Sequence, residues 1–200
     1  MSEPQARIAR ILQPIRDADA PGPAFTTDRG TLAHNPSIMD IAVISGVATP
    51  EECEGILKIA KAHAVGPTAK IPRQDETRWI YERAADVFEK ANDIFRFRVV
   101  GLIEEPLVSL QTPEDKLRWL VDCARNITAN RKLSMTLLLT EPAPAANGLL
   151  EFAGRDAPHA PLALGSAIVY PSFIGHRYAP LAEGQHRVTM LAFAYGPTFE

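Results

Sequence analysis

The last apolar run of the chain, "HRVTMLAFAY", holds an arginine and a threonine two residues apart. Alternation along a strand puts Arg187, Thr189, Leu191 and Phe193 on one face, and Val188, Met190, Ala192 and Ala194 on the other. Both sets are largely apolar, so the run reads as a central strand covered on each side. A guanidinium in such a place is costly unless it meets an anion. Its planar fork suits a carboxylate, and the Thr189 hydroxyl can add a bond to the same anion. A salt bridge to a core acid such as Glu151 is the structural alternative. Two further residues could carry chemistry. His176, in "YPSFIGHRYAP", is a candidate metal ligand or an ordinary hydrogen-bonded histidine. Asp122 closes "LRWLVD", where an aspartate commonly serves turn chemistry.

These residues need elements to position them. "IMDIAVISGVATPEECEGILKIAKAHA" predicts a strand and then a helix, with Thr49 as N-cap, Pro50 in the first turn and Glu52 closing a capping box. Cys53, Ile56, Leu57, Ala60 and Ala64 recur at helical spacing, so Cys53 reads as core. Residues 74–95 predict a second helix whose buried stripe is Ile80, Ala84, Val87, Phe88, Ala91 and Phe95. From residue 97 the texture changes to eight short β-rich runs, "RFRVVGLIE", "PLVSLQ", "LRWLVD", "KLSMTLLLT", "GLLEFA", "LGSAIVYPS", "HRYAPL" and "HRVTMLAFAYG", separated by Pro, Gly and Asn. Helices followed by many short strands predict a mainly β fold, a double-stranded β-helix (jelly roll) braced by the N-terminal helices. That domain is expected over residues 36–200. Residues 1–35 read as an extension or lid, with a short amphipathic helix in "ARIARILQPI" and a loop in "DADAPGPAFTTDRG".

Composition narrows the partners. With 21 basic and 24 acidic residues in 200, the net charge is −3, which leaves no electrostatic footprint for nucleic acid or an anionic membrane. The two cysteines, Cys53 and Cys123, form no C-x-x-C pair, so a reducing cytoplasm is the expected setting. The first 20 residues lack the apolar core of a signal peptide, and no run reaches the roughly 18 apolar residues of a span. A small-molecule substrate is expected, and a homodimer is the commonest assembly for such a chain.

The order Asp122, then His176, then Arg187 eleven residues on resembles the iron(II)- and 2-oxoglutarate-dependent dioxygenases, in particular their prolyl-4-hydroxylase-like branch. The resemblance runs from about residue 37 to the C-terminus. It is carried by "TPEECEGILKIA", "NRKLSMTLLLTEP", "GLLEF" and, most distinctively, "GSAIVYPSFIGHRYAPLAEGQHRVTMLAFAYGP". In that family an H-x-D pair and a distal histidine hold Fe(II), and an arginine on the last strand grips the far carboxylate of 2-oxoglutarate, often with a hydroxyl residue two positions on. The resemblance therefore implies Asp122 and His176 as metal ligands and as the catalytic pair, and Arg187 and Thr189 as the co-substrate clamp. Hydroxylation or desaturation of a small or amino-acid-derived substrate is the implied reaction.

The chain departs from the pattern at Leu120, which stands where the first histidine belongs. Positions 120 and 122 share a strand face, so leucine removes a lone pair from the metal side. Leu117 stands where the family commonly has a tyrosine near the co-substrate. Cys123 and His186 alternate away from the site, His159 and His63 read as exposed, and His34 lies in the extension. Three activities stay open: oxygenation with a reduced Asp/His metal site, iron-independent acid–base chemistry of the isomerase, cyclase or lyase kind, and carboxylate binding without turnover.

Overall fold

The computed structural model describes residues 25–27, 30–32, 39–115, 117–142, 149–154 and 162–198. The chain divides into two units, Met1–Ile38 and Met39–Glu200. In the first, β1 (Phe25–Thr27) pairs antiparallel with β2 (Gly30–Leu32). The predicted loop "DADAPGPAFTTDRG" thus ends in a short hairpin. The helix expected in "ARIARILQPI" lies outside the described residues.

The second unit opens with β3 (Ala42–Ile44) and α1 (Pro50–Ala62). The capping box is made as the sequence predicts: Glu52 N–H donates to Thr49 Oγ1 at 3.2 Å and Thr49 N–H to Glu52 Oε2 at 2.8 Å. Helix α1 buries Cys53, Ile56 and Ala60. Helix α2 (Arg78–Phe95) starts later than residue 74, after a 3₁₀ turn over Asp75–Thr77. Thr77 marks the delay: its backbone N–H bonds the Gln74 carbonyl three residues back, and its hydroxyl donates to the Pro72 and Gln74 carbonyls, which favours a turn over the α-helical pattern. The predicted stripe on α2 is buried in full, from Ile80 to Phe95.

The remaining strands are β4 (Ala64–Val65), β5 (Thr68–Lys70), β6 (Leu107–Gln111), β7 (Arg131–Leu138), β8 (Leu150–Phe152), β9 (Ala167–Pro171), β10 (His176–Tyr178) and β11 (Arg187–Tyr195). Seven strands form one antiparallel sheet in the order β3-β9-β7-β11-β6-β5-β4, and β10 with β8 forms a second. Register decides which face goes where. Met190, Ala192 and Ala194 of β11 oppose Leu137, Met135 and Leu133 of β7, and this face joins the core under α1 and α2. On the other face Leu138, Ile168 and Tyr170 pack with Leu150 and Phe152 of the small sheet. Two stacked antiparallel sheets with helices bracing the larger one make a jelly roll, as expected.

Two of the eight predicted β-runs are not strands. In "RFRVVGLIE" only Gly101 bridges, to Tyr195, because Arg96 ends α2 at φ 57° and Gly101 sits at φ 140°. Val100 and Ile103 are consequently exposed. In "LRWLVD" only Leu120 bridges, to His176. The β4–β5 hairpin, unpredicted, folds at Gly66 and Pro67. Its strands of two and three residues are too short for alternation to show. Among the described residues no helix is long and apolar enough to cross a membrane.

Candidate metal and carboxylate site

The small sheet sets the geometry. His176 and Leu120 are directly opposed and exchange both backbone hydrogen bonds, at 2.8 and 2.9 Å, so their side chains leave the same face. His176 opposes Phe152 and Tyr178 opposes Leu150, which puts His176 and Tyr178 on that same inner face. Arg177 and Glu151 take the outer face. There Arg177 Nε meets Glu151 Oε2 at 2.6 Å and the guanidinium lies over Trp119. Glu151 is therefore engaged by Arg177, and the predicted structural alternative, a core salt bridge from Glu151 to Arg187, is not made. The two residues belong to opposite sides of the small sheet.

Asp122 and His176 come together although they stand 54 positions apart in the chain. Asp122 Oδ2 lies 3.6 Å from His176 Nε2, with both side chains nearly buried. The His176 Nδ1 is 3.1 Å from the Ile174 carbonyl, which can only accept, so Nδ1 carries a proton and Nε2 is the ring nitrogen turned to Asp122. The 3.6 Å separation of Nε2 and Oδ2 is too long for a hydrogen bond. The Tyr170 hydroxyl, unpredicted, donates to Asp122 Oδ2 at 3.2 Å, and its ring packs on His176 with centroids 4.7 Å apart. Burial, followed by the Asp122 charge, holds the Tyr170 phenol well above its ordinary value, so it stays a proton donor. Arg131 fixes the backbone, donating to the Asp122 carbonyl at 3.1 Å while pairing with Glu104 and stacking over Phe193. Asp122 sits on a bend, not in the strand the sequence predicts.

Leu120 faces the pair and is 53% exposed, so no packing demand explains the leucine. Among the described residues no group of three or more His, Cys, Asp and Glu side chains could hold a metal ion. The other candidates stay apart as expected: His63 and His186 are exposed, and Cys123 Sγ turns to the Ala129 carbonyl. His34 and His159 lie outside the described residues.

On β11, Arg187 is 5% exposed and Thr189 fully buried. The guanidinium donates from Nε to Gln111 Oε1 at 3.0 Å and from Nη2 to the Ala179 carbonyl at 2.9 Å, both neutral acceptors. No carboxylate reaches it among the described residues. Burial accordingly pulls its affinity for its proton below the ordinary value. It lines a cavity of about 40 Å³ with Gln111, Asp115, Leu117 and Ala179, and Asp115 makes no ion pair with it. Thr189 Oγ1 takes a bond from Gln111 Nε2 at 3.2 Å and shares one with the Tyr178 hydroxyl at 3.0 Å. The Arg187 guanidinium lies over the Tyr178 ring, 5.0 Å from its centroid.

The structure of a prolyl-4-hydroxylase from Pseudomonas putida superposes with a TM-score of 0.61, covering 80% of this chain and 94% of that one at 16% identity. The fold is that of the prolyl-4-hydroxylases. The viral collagen prolyl hydroxylase of Paramecium bursaria Chlorella virus-1 gives a TM-score of 0.60 at 11% identity, covering 83% of this chain and 97% of its own. An oxidoreductase of the 2OG-Fe(II) oxygenase family from Burkholderia pseudomallei gives 0.57 at 14% identity, over 78% and 84%. No family model and no curated protein sequence matches the chain. On this prolyl-4-hydroxylase fold the chain brings Asp122 and His176 together at one end of the inner face, and Arg187, Thr189, Gln111 and Tyr178 at the other.

Proposed function

We propose that the chain is a 2-oxoglutarate-dependent oxygenase whose Fe(II) is held by Asp122 and His176, and which oxidises a small or amino-acid-derived substrate. The observation that carries the reading is Arg187, a buried guanidinium with neutral partners only among the described residues. An unneutralised buried cation costs several kcal/mol, on the order of 3–5 when a pair is broken. A ligand carboxylate removes that cost, and a structural arginine would have acquired an acid of its own.

The donor set fits a divalent cation held by two protein groups. An imidazole nitrogen and a carboxylate oxygen are the donors Fe(II) takes, and these two face each other at 3.6 Å, with the Tyr170 hydroxyl also donating to Asp122 Oδ2. The third family position is Leu120, which has no lone pair, so the remaining sites fall to the co-substrate and water. Iron bound there would supply oxygen activation coupled to the oxidative decarboxylation of 2-oxoglutarate. The chain's own residues do the rest. Arg187, with Thr189 behind it, binds the distal carboxylate, Tyr170 holds Asp122 Oδ2, and the Ile174 carbonyl fixes the His176 ring.

A second reading has one observation in its favour. A proton on His176 Nε2 satisfies the same facing pair, and Tyr170, Asp122 and His176 then form a metal-free acid–base group. Succinate release separates the two. Protein supplied with Fe(II), 2-oxoglutarate and oxygen should release succinate, faster with a suitable amino-acid-derived substrate, and lose this activity to a chelator. Absence of succinate across a broad substrate panel, with conversion of some substrate unaffected by chelator, would establish the second reading instead.

A further inference from the structure

Position 120 lies on an open edge of the small sheet. Both backbone bonds of Leu120 go to His176 on one side, so the amides and carbonyls of Trp119 and Val121 point the other way. Among the described residues nothing bonds them. Trp119, Leu120 and Val121 are also large, apolar and each about half exposed. Free ladder groups beside an apolar side-chain run make a template for a further strand. Trp119 is already steadied, with the Arg177 guanidinium 4.8 Å from its ring centroid, so covering it costs little side-chain freedom.

The residues of the edge say which strand fits. "RWLVD" is complementary to its own reverse. An antiparallel copy centred on Leu120 sets Trp119 against Val121 and Arg118 against Asp122, alike at both ends, and opposite charges across a ladder attract. Within this stretch only that centring pairs the charges. A centre at Trp119 sets Arg118 against Leu120, and one at Val121 sets Asp122 against it. The backbone agrees, because alternation then makes the outward groups of Trp119 and Val121 the ones that exchange bonds.

We infer that this edge is where two copies of the chain join, antiparallel about a two-fold axis at Leu120. Trp119 exchanges both backbone bonds with Val121 of the partner, and Val121 with Trp119 of the partner. Leu120 packs on its own copy, and the two small sheets become one continuous sheet. The bend at Asp122 ends the ladder, so the contact is short and the dimer depends on concentration. Leu120 thereby gains a packing reason that a single copy does not give it. The inference stands apart from the metal reading.

Sedimentation equilibrium of the full chain, from micromolar to near-millimolar concentration, tests this. The mass should rise from that of one chain towards that of two. Val121→Pro removes the outward N–H and should leave a monomer throughout. Arg118 is exposed and unpaired among the described residues, so Arg118→Asp leaves folding alone. It sets like charges at both ends and should weaken association by about tenfold or more. Cross-linking fixes the register. Non-bonded antiparallel pairs hold their Cα atoms about 4.5 Å apart, within the roughly 4.4–6.8 Å that a disulfide spans. Under copper-catalysed air oxidation Leu120→Cys should therefore give a covalent dimer. The wild-type chain, with Cys53 buried and the Cys123 thiol turned to the Ala129 carbonyl, should not. A wild-type chain that stays a monomer at the highest concentration, with no Leu120→Cys cross-link, overturns the inference and leaves the edge to an extended peptide. A dimer unmoved by Val121→Pro and Arg118→Asp, and without that cross-link, overturns it too and places the contact elsewhere.

Discussion

Arg187→Met should abolish measurable 2-oxoglutarate binding, a fall of at least about 100-fold, without destabilising the protein. Removing one partner of a buried charged contact to a ligand costs about 2–5 kcal/mol or more. Stability should move the other way. Arg187 in the ligand-free chain is a buried cation whose burial already pulls it below its ordinary value, and whose contacts are neutral oxygens of Gln111 and Ala179. A methionine of similar length removes the desolvated charge, so the melting temperature should hold or rise. Calorimetry with 2-oxoglutarate and a thermal melt check the two halves. Unchanged binding would place the carboxylate elsewhere, and a severe loss of stability would make Arg187 a structural residue after all.

The second large effect comes from Leu120→His. Leu120 and His176 are a directly opposed, doubly hydrogen-bonded pair, so an imidazole at 120 leaves the strand beside that of His176. Leu120 is half exposed, and the exchange therefore opens no cavity. Four ligands supply roughly 10–16 kcal/mol in a structural zinc site, and a quarter share puts one added donor at about 100-fold or more. Competition titration with Zn(II) or Co(II) should show that gain, and it should vanish in the double variant Leu120→His, His176→Ala. Unchanged metal affinity would mean that position 120 does not address the Asp122–His176 pair.

These predictions rest on contacts that were unevenly legible in the sequence. Local rules read well: the Thr49–Glu52 capping box and the α2 stripe from Ile80 to Phe95 stand as spacing predicts. Alternation on β11 correctly set Arg187 and Thr189 on one covered face. It could not say what lay opposite, and Glu151, the acid named for Arg187, turns outward to Arg177. Burial on the same strand does not fix the partner, because partners come from register between strands distant in sequence. The same limit hid Tyr170 and Tyr178. Only the fold shows the phenol oxygens crossing 48 positions to Asp122 and 11 to Thr189. "RFRVVGLIE" misled in the opposite sense. Its β-branched composition is real, but Arg96 and Gly101 hold positive φ and break the extended run.

Leu120 sharpens the question of chemistry. Leu120 is half exposed, so core packing does not fix its identity, while Asp122, His176, Arg187 and Tyr170 around the site are all held by specific contacts. Buried polar groups are retained at a cost, and the proposed metal and dicarboxylate would account for this buried set.

The most direct test is an anaerobic titration of metal-free protein with Fe(II) and 2-oxoglutarate, followed in the visible region. The account predicts the charge-transfer absorption of 2-oxoglutarate chelated to iron in the wild-type chain, lost in His176→Ala. No such band in the wild-type chain, with one appearing only in Leu120→His, would contradict it and would identify Leu120 as the residue that removed iron chemistry from this fold.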